Sequence, residues 1–542
     1  MLIHRIAAQL ATAAEYRDIE RALNLGQDAT LGIAQSARPL AIAAVYARRP
    51  RPTVVVVAGE DAADRMAQAL CAYVGLDQVE RIALRKDLPW SDKAPDHAVV
   101  GARAKALARL HAGEPCLAVC SARALVRWVP PVSSEFWRPA TFALGQEVPF
   151  GEVAERLLFM GYTNAGSVDA PGTFYVHGDT VDIWPAQAGA PVRLEFFGDE
   201  IDAVRRMVPS TGQTIGDVAE VQVYPCRELA LSPKAIERCR RRLYQASQDD
   251  DEVAQHMEFL EQGIVFPELD RYLPQLYAST VTPLAHVCPQ ALVVLAEPRS
   301  LFDDATRAYD ELQQAAREKR VDLAGLYVKP AELDFGAQQR LTLVSLMRAG
   351  GGATAELRVQ QPDVAGGARL TRRLDSFRHV GFSTVFAIPD SGARRSMELT
   401  LTDERVPIVV SLATDAENRT PCTPVGAEQP VPPLPRGPVV ITDAPIPAGV
   451  VVPDARLAVL SVNDLQSRMA RHGRRKNVDV TDITFPFKPG DYVVHATHGI
   501  AHFTAIVRKE VAGKERDYFL LEYADADKLY VPFEQVDRLT RY

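Results

Sequence analysis

The stretch GTFYVHGDTVDIWPA (172–186), continued after a short polar loop by VRLEFFGDEIDAV (192–204), decides how this chain is read. Apolar and polar residues alternate in it, the period of a strand covered on one face. In the second segment Val192, Leu194 and Phe196 share one side, and Arg193, Glu195 and Phe197 share the other. That second side is normally polar. An aromatic beside an arginine there marks either a contact patch or a face covered by a neighbouring domain, and these residue types anchor protein interfaces.

On either side of this β segment the pattern is α/β. The continuous apolar run 53–58 predicts a strand buried on both faces. Asp61 is placed to cap the next helix, whose stripe is Met66, Ala69, Leu70, Tyr73 and Val74, with Gly75 stopping it. A helix over 102–111 and a strand over 116–121 repeat the unit. After the β segment the scheme resumes with a helix over 233–248 and a strand over 291–296. An α/β domain is therefore interrupted by a β-rich insertion.

A phosphate-binding loop needs glycines, a lysine and a hydroxyl. The nearest candidate, 32–39, has Gly32 but sets Ala37, Arg38 and Pro39 where the second glycine, the lysine and the serine or threonine belong. Proline removes both the metal-binding hydroxyl and a backbone donor, so nucleotide binding is not expected there. No cofactor is expected elsewhere.

Beyond the glycines 350–352, a helix over 370–380 and strands over 384–388 and 407–412 predict a second small α/β domain. The proline-rich stretch 419–438 reads as a surface loop and the basic run RMARHGRRK (468–476) as a linker helix. From Phe487 onward, short strands broken by Gly, Asp and Lys turns predict a small, strongly bent barrel. His495, His498 and His502 lack companion ligands at a metal-binding spacing and read as turn residues, so no metal is expected. The acidic run 249–252 reads as an exposed loop.

The β segment resembles the small domain shared by excinuclease B and the bacterial transcription-repair coupling factors, which docks onto excinuclease A, the damage-recognition ATPase. The resemblance assigns that docking to His177, Arg193 and Phe197; the family has arginine where His177 stands, and imidazole is the weaker carboxylate partner. The run PGDYVVH…HGI…DYFLLEYADADKLYVPFEQVDRLTRY (489–542) resembles the CarD-like RNA-polymerase-interacting domain of the coupling factors. It implies β-strand addition to the β subunit of RNA polymerase through Ile506, Val507, Arg508, Lys509 and Glu510, with Lys509 standing where an apolar contact is expected.

Together these imply a multidomain α/β plus β fold. Residues 1–138 and 225–348 would form a degenerate P-loop-helicase-like α/β lobe, 139–224 its β-rich excinuclease-A-docking insertion and 353–462 a small α/β domain. A basic linker (463–484) and an SH3/Tudor-like barrel (485–542) would follow. The implied function is a non-catalytic adaptor in transcription-coupled repair, reaching DNA only indirectly or through a motor. In the full family an ATP-driven translocase comes next, and a carboxyl-terminal domain masks the docking patch. The chain ends where that motor would begin, as a fragment or a motor-less variant, so the patch is expected to be open. The alternatives are an ATP-dependent helicase of excinuclease-B type and a CarD-like transcription regulator.

The 542 residues, 47% apolar and 24% charged, suit a globular protein, and a net charge of −8 argues against a broadly basic duplex-wrapping surface. No apolar run is long enough to span a bilayer. The seven cysteines include no Cys-x-x-Cys pair, in keeping with a reducing cytoplasm.

Overall fold

A computed structural model describes residues 2–541 except 263, 320, 346–352, 363, 365–367, 413–430, 466–489, 496–498, 512–513, 524–527 and 533–538. The basic run 468–476, most of the proline-rich stretch, His498 and the hairpin tip 512–513 lie outside the described residues.

The first lobe opens with β1 (Ala29–Gly32), β2 (Thr53–Val57), β3 (Val79–Ile82) and β4 (Leu117–Ser121). Every position of β2 and β4 is buried, as strands sandwiched between helices must be. The helix Glu60–Val74 follows β2, and Gly75 ends it with a φ of 94°. Asp61, expected to cap it, lies instead in its first turn; Gly59 is the cap residue, and its N–H donates to Asp304 Oδ2 at 2.9 Å. The long-range carboxylate thus holds the cap residue's own N–H, and among the described residues no side chain caps the first-turn N–H groups.

The chain then enters the β-rich insertion: β5 (Ala140–Ala143), β6 (Thr163–Asn164), β7 (Thr173–His177), β8 (Thr180–Ile183), β9 (Val192–Phe197), β10 (Glu200–Met207), β11 (Thr214–Asp217) and β12 (Glu220–Val223). β5 pairs antiparallel with β12, forming a neck where the chain enters and leaves. The other six make one sheet in the order β11-β10-β9-β8-β7-β6. Its inner face buries Phe174, Val181, Ile183, Leu194 and Ile201 against Phe142, Val153 and Leu157. The insertion sits close on the helix His97–Ala112. A Cβ on Gly101 would come within 2.4 Å of Ala186 Cβ, so glycine is required for that approach.

Where the chain returns, four buried charges (Arg85, Arg103, Arg127 and Glu228) and two half-buried aspartates clasp it to the lobe. Glu228 accepts from Arg103 Nε at 2.6 Å and from Arg85 Nη1 at 3.2 Å. Arg85 also pairs with Asp87 and Asp270, and so does Arg127. Burial would raise the Glu228 carboxyl, but the facing Arg103 and Arg85 more than reverse it and hold it at about 2. The lobe is completed by β13 (Leu292–Ala296), β14 (Gln339–Val344) and β15 (Ala353–Glu356) in an all-parallel sheet ordered β15-β1-β14-β13-β2-β4-β3. The sequence pattern assigns 353–356 to the next domain; instead Ala353 pairs with Ala29 of β1. Parallel partners far apart in sequence leave no local sign of their pairing. The acidic run 249–252 is likewise no loop: Asp250 caps the helix Asp251–Glu261 by accepting from the N–H groups of Glu252 and Val253.

The second α/β domain comprises β16 (Ser383–Ala387), β17 (Ile408–Val410), β18 (Val439–Thr442), β19 (Val450–Val452) and β20 (Leu457–Ser461), ordered β17-β18-β16-β20-β19. The helix Leu2–Leu10 joins it to the first lobe. Ile3, Ile6 and Leu10 share one apolar cluster with Val55 of β2 and Val459 of β20, and Gln9 Nε2 donates to the Ala455 carbonyl at 2.6 Å.

The carboxyl-terminal module is a five-stranded antiparallel sheet of β21 (Tyr492–His495), β22 (Gly499–Val511), β23 (Lys514–Glu522), β24 (Lys528–Pro532) and β25 (Leu539–Arg541), ordered β24-β23-β22-β21-β25. A register shift between Phe503 and Ala505 bends β22, and Phe503, Phe519 and Val531 are buried inside the curve.

Candidate docking site

The outer face of the insertion is built by two tight hairpins. Gly178 (φ 55°) and Gly198 (φ 66°) take the first central position of the turns joining β7 to β8 and β9 to β10, as a type II′ turn requires. Both turns fix the register, and the pleat then sends alternate residues of β9 inward and outward. Phe196 goes in, 7% exposed and edge-on to Phe150 at 5.1 Å between ring centroids. Phe197 goes out, and 82% of it is exposed.

The register also lines up a row of charges. Asp182 of β8 lies opposite Arg193 of β9, which lies opposite Arg205 of β10, which lies opposite Asp217 of β11. Arg193 donates to both carboxylate oxygens of Asp182, from Nε at 2.7 Å and Nη2 at 2.8 Å. Arg205 pairs with Glu195 at 3.0 Å and with Asp217 at 3.2 Å. Two adjacent arginines are thus held side by side between acidic ends. His177 sits on β7 with Nε2 3.2 Å from Asp182 Oδ2, and its ring stacks on Tyr175 at 5.0 Å.

The structure therefore brings His177 and Arg193 together on one carboxylate, Asp182, and sets Phe197 in solvent at the end of the same strand as Arg193. Asp182, Arg205 and Tyr175 do not stand out in the sequence. The Val181-Asp182-Ile183 alternation carried the signal for Asp182, whose side chain must lie on the Arg193 face.

At the carboxyl ends of β1, β2 and β13 lies a cleft of about 690 Å³ lined by Gln35, Arg38, Gly59, Glu60, Glu297 and Asp303 among others. Gly32 ends β1, Ala37 is buried in a 3₁₀ turn, and Arg38 opens the helix Arg38–Arg48 with Pro39 in its first turn. Arg38 is turned inward. It is 3% exposed, ion-paired with Glu297 and donates to Ser345 Oγ at 2.8 Å. The cation that would meet a phosphate is already neutralised by protein.

In the carboxyl-terminal module Ile506, Val507, Arg508, Lys509 and Glu510 all lie on β22, paired with Phe519, Tyr518, Asp517, Arg516 and Glu515 of β23. β21 pairs with β22 only over Gly499–His502. Along 506–510, among the described residues, β22 has a strand on one side alone. His495 pairs in β21 and His502 in β22. No group of His, Cys, Asp and Glu that could hold a metal occurs among the described residues.

Fold and site define an α/β scaffold that carries two β-rich modules, one with an exposed aromatic–arginine face and one with an open strand edge. Residues 141–229 match the UvrB interaction domain, and residues 487–542 match the CarD-like/TRCF RID domain. Over its full length the chain is 27% identical to a transcription-repair-coupling factor of Myxococcus xanthus, covering 48% of that protein. It is 30% identical over 97% of its length to that of Mycobacterium bovis (45% covered), and 24% identical over 80% to that of Bacillus subtilis (38% covered). The chain corresponds to the amino-terminal part of the transcription-repair coupling factors and spans about half the length of the curated relatives it matches.

Proposed function

We propose that this chain is an adaptor for transcription-coupled nucleotide excision repair in the cytoplasm, without turnover of its own. The carboxyl-terminal module holds the β subunit of RNA polymerase by strand addition along Ile506, Val507, Arg508, Lys509 and Glu510. The insertion recruits excinuclease A through His177, Arg193 and Phe197, and any action on DNA is indirect or passes through a motor such as the relatives' longer chains accommodate. One observation carries the reading: Phe197 stands in solvent at the end of the strand whose Arg193 is fixed by two hydrogen bonds, within the span that matches the UvrB interaction domain. An aromatic ring has few torsions to lose and a pre-oriented guanidinium has already lost its own, so both cost little entropy on binding. The test is nucleotide-free binding of excinuclease A to the full chain: Phe197→Ala should weaken it strongly, and equal binding by the variant would refute the reading.

The second reading, a CarD-like transcription regulator, draws on the match over 487–542. It requires polymerase binding to survive removal of everything before Asn477, with no repair defect. An ATP-driven helicase of excinuclease-B type is opposed by the inward Arg38–Glu297 pair.

A further inference from the structure

The net charge of −8 is unevenly spread, and the helix Ala368–His379 of the second α/β domain carries the opposite sign. Its sequence, ARLTRRLDSFRH, holds four arginines and one acid. Leu370, Leu374 and Phe377 are buried in one cluster with Phe386 of β16 and Leu460 of β20, which fixes the inward side of the helix. At about 100° per residue, Arg369, Arg372 and Arg373 then fall within one arc of about 100° on a single flank. Arg369 and Arg372 are exposed. Arg373 is half-buried, its guanidinium carbon 4.6 Å from the centre of the Phe377 ring.

Nothing inside the helix is stabilised by this arrangement. Arg369 stands one turn before both Arg372 and Arg373, and like charges at that spacing oppose a helix. All three lie toward its N-terminal end, where the macrodipole disfavours cations, and no acid stands in the first turn. The single acid, Asp375, is taken by Arg378 at 3.0 Å. Among the described residues no carboxylate forms an ion pair with Arg369, Arg372 or Arg373. A row of cations that costs the helix stability and has no internal counter-charge calls for an external polyanion.

The row continues past the end of the helix. Arg456, exposed in the turn between β19 and β20, reaches to 3.5 Å from where a Cβ on Gly381 would stand. From residue 369 to residue 381 the rise is about 18 Å. Duplex DNA carries one phosphate per about 1.7 Å of its axis, so such a row meets several of them. Single-strand sites add aromatic rings on which bases stack. Here Phe377 is buried and packs on the half-buried Phe382 at 5.2 Å, so no ring is offered to a base. What remains is contact with the phosphates of a double helix, which carries no sequence information.

We propose that the helix Ala368–His379, with Arg456 at its end, is a sequence-independent contact surface for the backbone of duplex DNA. It positions DNA beside the two protein-docking modules and does no chemistry on it. Fluorescence anisotropy of a labelled duplex of about 30 base pairs, titrated with the full chain, tests this. A Kd of about 10–100 μM at about 50 mM salt is expected, with log K falling against log salt at a slope of about −3 to −4 for four phosphates. Arg369→Gln/Arg372→Gln/Arg373→Gln should weaken binding about tenfold or more and shrink that slope by about 2 to 3. Glutamine keeps the helix propensity, so the melting temperature should hold, whereas a structural role for these arginines would lower it. Should the triple variant fail to fold, the exposed pair Arg369→Gln/Arg372→Gln replaces it. Arg17→Gln/Arg21→Gln/Lys234→Gln removes the same charge from exposed positions elsewhere and should bind within about twofold of the parent. The proposal is overturned by no salt-dependent binding up to about 200 μM, or by an equal loss in both triple variants. It is also overturned if a single strand of the same length binds as tightly as the duplex. Equal binding of poly-glutamate at the same charge concentration would overturn it too, assigning the surface to an acidic protein.

Discussion

Arg193 and Asp182 meet across β8 and β9 with both carboxylate oxygens engaged, at 2.7 and 2.8 Å, and Phe197 projects four residues further along the arginine's own strand. The pair is local to the sheet and does not depend on a partner. The arginine of the proposed docking face is thus ordered before anything binds, which lowers the cost of association there.

Phe197→Ala should weaken excinuclease A binding by about 30-fold or more, the loss of an interface anchor worth about 2 kcal/mol. Because Phe197 is 82% exposed, the melting temperature should stay within about 1 °C of the parent. Interferometry and a thermal melt on the same sample check both.

Asp182→Asn leaves Arg193 and His177 without their shared anion. Asp182 is 5% exposed, so the unfolding free energy should fall by about 1–3 kcal/mol, measured by urea titration. Docking should weaken as well, because Arg193 then samples other rotamers.

Acid should loosen the seam between lobe and insertion. The ordinary carboxyl value of Glu228 is 4.5, and its neighbours lower it to about 2; Asp87, ordinarily 3.8, is likewise held at about 2. For Asp87, burial pushes upward and Arg85, with its hydrogen bond, overrides it. A depressed folded pKa gives stability that is fully present above the unfolded value and lost as pH falls through the folded one. Melting temperature should therefore drop between about pH 4.5 and pH 2, and Glu228→Gln should flatten that drop while lowering stability at pH 7.

Arg38→Met removes the partner of Glu297 and a donor to Ser345. Stability should fall by about 1–3 kcal/mol, and neither variant nor parent should show saturable heat with Mg-ATP at about 1 mM. Saturation in the parent would count against an adaptor without turnover.

Removing residues 485–542 should abolish RNA polymerase binding in a pull-down and leave excinuclease A binding unchanged. The two modules share neither a sheet nor a hydrophobic cluster among the described residues. Loss of both interactions would show that the modules are coupled.

What sequence alone determined here was local. Period-2 alternation set Phe196 inward and Phe197 outward, since side chains on a strand must point to opposite faces. Continuous apolar runs marked β2, β4 and β13 as buried strands, and Ala37, Arg38 and Pro39 stand where a phosphate loop would need glycine, lysine and a hydroxyl. Tertiary structure decided whatever depended on distant partners. That β15 belongs beside β1, that Asp304 serves Gly59, that Asp182 gathers Arg193 and His177, and that Arg103 keeps one N–H unanswered are all facts about residues far apart in sequence or across strands. Hydrogen bonds and ion pairs act over a few ångströms of space, and the chain's linear order does not encode which groups folding will bring within that reach.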